Sequence, residues 1–180
     1  MNDHPADPAV DPVETMWEGR YITVRRRGPW EYVGRARGIG AAVILAIDDG
    51  HVLLVEQYRV PMQARCLELP AGLVGDETDD EPVEVAAARE LEEETGYRAD
   101  HVASLGRFAS SPGMVSETFM LVRATGLVRV SDGGGVAGED IVVHRVPLTQ
   151  IAQFVDAARV AGTVIDVKLL LLLGAGLLVD

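Results

Sequence analysis

The sequence predicts an α+β fold: a mixed β-sheet with a few helices packed on it, preceded by an N-terminal β-hairpin. Three observations support this. Runs of β-branched and aromatic residues, separated by glycine, proline or Asp-Gly turn signals, recur from residue 20 to 69 and again from 102 to 146. Only three stretches read as helix. A chain of 180 residues, 48% hydrophobic and 24% charged, is large enough for one real core, and neither a repeat nor a second core boundary interrupts it.

In chain order, residues 1–14 are acidic and proline-rich, which suits a mobile leader and not a secretory signal, whose start is basic and then apolar. Arg20–Arg27 (RYITVRRR) and Trp30–Arg37 (WEYVGRAR) should form a hairpin across Gly28-Pro29, so that residues 15–39 make an N-terminal strand unit and residues 40–180 the main domain. Ala41–Ile47 and His51–Val60 are apolar runs joined by Asp48-Asp49-Gly50, a strong hairpin signal. Cys66–Leu69 reads as a short strand ending in Pro70-Ala71-Gly72.

A helix is expected from about Pro82, capped by Asp80 or Glu81 and stopped by Gly96. Val102–Phe108, Phe119–Arg123 and Ile141–Val146 should be strands, with a flexible loop around Gly133-Gly134-Gly135 between the last two. Two helices, about Leu148–Ala158 and Val164–Leu178, should complete the chain. The apolar run Leu169–Val179 is shorter than the roughly 18–20 residues a membrane helix needs, so a buried core or dimer helix is the better reading.

A net charge of −12 and a pI near 4.7 argue against a general binder of nucleic acid or acidic membranes. The charge is uneven: Arg20, Arg25, Arg26, Arg27, Arg35 and Arg37 cluster early, whereas residues 76–94 are mostly acidic. One cysteine, Cys66, excludes an internal disulfide framework and suits a reducing, cytoplasmic setting, as a buried and inert thiol.

The most informative segment runs from Gly75 to Tyr97. Glu90, Glu93 and Glu94 fall at i, i+3 and i+4 of the expected helix and share one face. Like charges at that spacing cost roughly 0.2–0.5 kcal/mol per pair, so a compensating cation is expected. Clustered carboxylate oxygens suit a hard divalent ion such as Mg²⁺ that also meets substrate phosphates.

In the pattern G-x5-E-x7-R-E-U-x-E-E-x-G-U, the residues Gly75, Glu81, Arg89, Glu90, Leu91, Glu93, Glu94 and Gly96 all match, and Tyr97 replaces the usual final aliphatic. The segment resembles the Nudix box. That resemblance implies a Nudix fold, a mixed sheet sandwiched between helices, and hydrolysis of a nucleoside diphosphate linked to another group, with Mg²⁺ or alternatively Mn²⁺. By residue, it implies Glu90 and Glu94 as main metal ligands, Glu93 as a further ligand and catalytic group, the Ala71 carbonyl as a backbone ligand, Arg89 as the orienting cation, and Glu81 as support.

Features outside the box are similar to the ADP-ribose (ADP-sugar) pyrophosphatase branch. Glu56-Gln57-Tyr58-Arg59 precedes Glu68-Leu69-Pro70-Ala71-Gly72, Ser111-Pro112-Gly113 is followed by Glu117, and Pro112 lies sixteen residues beyond Gly96. Trp30–Arg35 (WEYVGR) looks like the N-terminal segment that, in dimers of this branch, stacks tryptophans on adenine. Trp30, Glu31, Arg59, Pro112 and Glu117 are therefore the expected substrate contacts, with Trp17 as a weaker candidate for the other side of the base. The branch usually takes its general base from a late loop, where Glu139 is the match.

The resulting expectation is a cytoplasmic homodimer that hydrolyses ADP-ribose to AMP and ribose 5-phosphate, binding neither nucleic acid nor membrane. Other Nudix substrates (GDP-mannose, other ADP-sugars, NADH) form one alternative, and a non-hydrolytic nucleotide-sensing module is a more remote one.

Overall fold

The computed structural model describes residues 11–36, 39–75, 81–135 and 138–173. Within these, three strands, β1 (Val13–Glu18), β2 (Ile22–Arg27) and β3 (Trp30–Arg35), form an antiparallel sheet in that order. The expected hairpin is its β2–β3 half, and Val13 and Glu14 already belong to β1.

The main sheet contains β4 (Gly40–Asp48), β5 (His51–Arg59), β6 (Ala64–Glu68), β7 (Ala71–Val74), β8 (Tyr97–Ala109), β9 (Thr118–Arg129), β10 (Val142–Pro147) and β11 (Val164–Ile165). The order is β11-β6-β5-β4-β9-β8, with β10 on β5 and β7 on β4. It is mixed as expected, because β4–β9 and β11–β6 run parallel and the other pairs antiparallel. Register places Asp48 opposite His51, so Asp49-Gly50 is the two-residue turn that the sequence signals. Strands β8 and β9 are much longer than their apolar runs, since pairing with each other carries them past the hydrophobic residues.

Alternation along β4 builds the two faces. Val43 and Leu45 point into a cluster with Phe119, Ile151, Val155, Leu169 and Leu172. Ala42, Ile44 and Ala46 point the other way, onto Ala87 and Leu91 of helix α1 (Val83–Thr95). Helix α2 (Ile151–Val160) and a 3-10 helix at Val167–Leu173 cover the first face. Helices thus lie on both sides of the sheet.

Three local expectations change. Helix α1 has Pro82, in extended conformation, as its N-cap and no side-chain cap; Glu81 lies near Arg89 instead, and Asp80 is outside the described residues. The final helix is not continuous. Val164 and Ile165, both β-branched, take the free edge of β6 opposite Cys66 and Leu67, and the chain then tightens into the 3-10 helix; residues 174–180 are outside the described part. The helix at Leu148 begins as a 3-10 turn and becomes α-helical at Ile151. Gly96 does end α1, in the left-handed conformation at φ 75°, with its N–H donated to the Glu92 carbonyl. Cys66 is buried, and burial pushes its thiol up to about 11. Among the described residues, no helix is long and apolar enough to cross a membrane.

Candidate active site

A cleft of about 550 Å³ opens where α1, β4–β7 and the loop before β10 meet. Glu90, Glu93 and Glu94 of α1 and Glu139 of that loop form its acidic wall, and Arg35, Arg59 and Lys168 bring positive charge. Phe119, Ala41 and Val43 supply apolar floor. The basic arm and the acidic helix therefore meet in one cavity, through Arg35 alone among the described early arginines.

Helix periodicity puts the three box glutamates on one face, and three neighbours hold them there. The guanidinium of Arg89 is 3.0 Å from Glu90 Oε1, 3.6 Å from Glu93 Oε2 and 3.5 Å from Glu81 Oε2. Arg89 thus lies within ion-pair distance of Glu81, Glu90 and Glu93. Gly72 lets β7 pass directly over Glu90: a Cβ there would sit 2.1 Å from the Glu90 Cδ. The N–H of Ala71 donates to Glu94 Oε2 at 3.1 Å.

Glu94 is only 7% exposed. Burial raises its carboxyl to about 8, and the charges of Glu90 and Glu139 add to the effect, while the Ala71 N–H and Arg59 oppose it. A buried acid among other acids is unfavourable until a cation joins it. Among the described residues, no three acidic, histidine or cysteine side chains are gathered closely enough to hold a metal ion as they stand. The donors nevertheless fit a hard divalent ion: all are oxygens, and one wall of the cavity stays open to substrate.

The loop bearing Glu139 is less free than its glycines suggest. Gly134 and Gly135 donate their N–H groups to the carbonyls of Glu94 and Glu93, at 2.8 and 3.0 Å. They thereby satisfy carbonyls at the C-terminal end of α1 that the helix itself leaves unpaired. The expected flexible loop is docked on the box helix over these residues.

Other expected contacts separate. Arg59 lines the cleft, but its Nε and Nη2 are engaged fork-to-fork by the buried Glu68, at 2.5 and 2.8 Å. Burial opposes its charge, yet the Glu68 hydrogen bond prevails and raises the Arg59 pKa. Glu117 also lines the cleft, where it accepts from Arg35 Nε at 2.5 Å. Pro112 is exposed and outside the cleft lining; its loop docks on β3 through Val33 N–H to Met114 O (3.0 Å) and Ser116 N–H to Val33 O (2.8 Å).

Trp30 and Glu31 are exposed at the far end of β3 and line no part of this cleft. Trp30 stands five residues from Arg35, about 17 Å at the rise of an extended strand. Trp17 is likewise exposed, in β1.

Three charged cleft residues have no role assigned from sequence. Arg35 appeared only as one of a basic run. Glu68 sat in a quoted segment with no role given. Lys168, paired with Asp166 and 5.9 Å from the Phe119 ring centroid, was hidden inside the expected terminal helix.

Comparison with known proteins agrees with this geometry. The NUDIX domain family matches residues 36–164. A methanol dehydrogenase activator from Bacillus methanolicus is 38% identical over 136 residues, covering 73% of this chain and 71% of that protein. An ADP-ribose pyrophosphatase from Bacillus subtilis (strain 168) is 43% identical over 79 residues, and that match spans only 41% of its length. A solved structure described as an ADP compounds hydrolase aligns with a TM-score of 0.67 at 26% identity, covering 90% of this chain and 89% of its own.

Proposed function

The chain belongs to the NUDIX domain family, in its ADP-ribose pyrophosphatase branch, and is built as a hydrolase of that family; on that premise we propose that it hydrolyses ADP-ribose to AMP and ribose 5-phosphate, with Mg²⁺, as a cytoplasmic homodimer. The observation that carries this reading is that one cleft is lined both by Glu90, Glu93, Glu94 and Glu139 and by Arg35, Arg59 and Lys168. Such a cavity suits a diphosphate that arrives with a cation.

Glu90, Glu93, Glu94 and the Ala71 carbonyl would hold the ion, with Mn²⁺ as the alternative to Mg²⁺. When bound, it supplies Lewis-acid polarisation of the phosphoryl oxygens and neutralises their charge. Glu139 takes a proton from the attacking water as the new P–O bond forms; the bridging P–O bond breaks, and its electron pair leaves on the departing phosphate. Arg35 and Lys168 bind phosphate or ribose oxygens, and Nη1 of Arg59 is left by the Glu68 pairing to do the same.

Trp30 and Glu31 fit base recognition only if a second copy presents its β3 end to this cleft. That geometry, together with the exposed Trp17 of β1 and Tyr21 of the β1–β2 turn, supports the dimer.

The test is a panel of ADP-ribose, other ADP-sugars, GDP-mannose and NADH, with and without Mg²⁺. AMP release from ADP-ribose at the highest kcat/KM, abolished by EDTA, is the expected result. A higher kcat/KM for another member would overturn the substrate, and tight nucleotide binding without hydrolysis of any member would establish the sensing-module alternative.

A further inference from the structure

Glu139 lies between two anchors. The first is the pair of hydrogen bonds from Gly134 and Gly135 to α1. The second involves residues that the reading above leaves unused. Arg65 of β6 donates from Nη1 to Asp140 Oδ2 at 2.9 Å and from Nη2 to the Asp140 carbonyl at 3.3 Å. Asp140 directly follows Glu139.

Arg65 is itself fixed in place. Its Nε donates to Glu56 Oε1 at 2.7 Å, and Nη2 also donates to the Glu56 carbonyl at 2.9 Å. Glu56 sits on β5, diagonal to Arg65 in the β5–β6 register, so the two side chains share a face. On its other side, Glu56 Oε2 is 3.2 Å from His144 Nε2 on β10. One guanidinium thus joins β6, β5 and the segment entering β10. Its planar fork cannot turn away from Asp140 without also losing Glu56.

We propose that Arg65 is a positioning residue: held by Glu56, it clamps Asp140 and so sets the place of Glu139 against the box helix. Its catalytic consequence rests on the reading of Glu139 as the base; the anchoring itself does not. An isolated surface pair would contribute little, since Asp140 is 83% exposed. The difference is that this partner is already ordered, so docking Asp140 freezes one short side chain only. Displacing a reacting group by about 1 Å can cost on the order of 100-fold in rate.

The test compares Arg65→Ala, Arg65→Lys, Asp140→Ala and the double variant Arg65→Ala/Asp140→Ala in the full chain. Two measurements are made: amide hydrogen exchange of the segment around Glu139, and kcat and KM for ADP-ribose. Faster exchange is expected in each alanine variant, with no further gain in the double variant. Alongside it, kcat should fall roughly 10- to 100-fold with KM within about twofold, and Arg65→Lys should rescue only partly because an ammonium cannot span both partners.

Unchanged exchange in Asp140→Ala, whose exposed side chain can be removed without threatening the fold, overturns the proposal. So do kcat losses that multiply in the double variant. If Glu139→Gln leaves turnover intact, the base assignment fails by itself, and exchange still decides the anchor.

Discussion

Glu94 presents two groups to the same site: its carboxylate enters the cleft, and its main-chain carbonyl accepts the Gly134 N–H at 2.8 Å. The metal-type wall and the loop carrying Glu139 are therefore not independent parts. Whatever shifts the C-terminal end of α1 also shifts Gly134 and Gly135, five and four residues before Glu139.

Gly133 makes that coupling testable. Its φ is +66°, and a Cβ would lie 2.4 Å from the Thr95 carbonyl carbon. Gly133→Ala should undock the loop and cost upward of about 1 kcal/mol of stability, read as a lower urea midpoint at unchanged m-value. An unshifted midpoint would mean the loop is not held on α1.

Replacing Glu139 by Gln should lower kcat by roughly 10²- to 10⁴-fold. Mg²⁺ affinity, followed by calorimetric titration, should stay within a few-fold. Wild-type turnover in this variant would transfer the role to Glu117 or a box glutamate.

Arg59→Ala tests a structural role against a substrate role. Removing the guanidinium leaves Glu68, 5% exposed, without its fork partner. A loss on the order of 1–3 kcal/mol follows from an unpaired buried carboxylate. Thermal melting should show it in the absence of any nucleotide. A rise in KM with an unchanged melting temperature would mean that Arg59 serves substrate alone.

The buried Glu94 predicts how metal-free protein responds to pH. Its carboxyl is raised in the fold from 4.5 to about 8. Between those values the unfolded chain has released the proton and the folded chain still holds it, so raising pH favours unfolding. EDTA-treated protein should therefore be most stable, as far as this group is concerned, below pH 4.5, and lose stability until about pH 8. The loss is on the order of a few kcal/mol at most. Saturating Mg²⁺ should flatten the slope, because the ion favours the charged form. A metal-free melting temperature that rises over this range would contradict the burial argument.

Much of the fold and site was legible because its signals are local. The Asp49-Gly50 turn, the Gly96 stop and the alternation of β4 each depend on neighbours a few residues apart. The face shared by Glu90, Glu93 and Glu94 follows from helix pitch alone, and the place of Arg89 from its offset to them. The terminal helix was misjudged for the complementary reason. Val164 and Ile165 follow a tertiary opportunity, the open edge of β6, that their own neighbours do not announce.

The sequence by itself determined the chemistry on offer: which carboxylates cluster, where their helix stops, and which family the box belongs to. Tertiary structure decided what those groups meet. Arg35 reaches Glu117 across 82 residues and Arg65 reaches Asp140 across 75. The parallel pairing of β4 with β9 helps bring such distant segments together. Helical offsets are short-range geometry that any window of sequence contains. Cross-chain pairs exist only once strand order and register are set, and these are properties of the whole core.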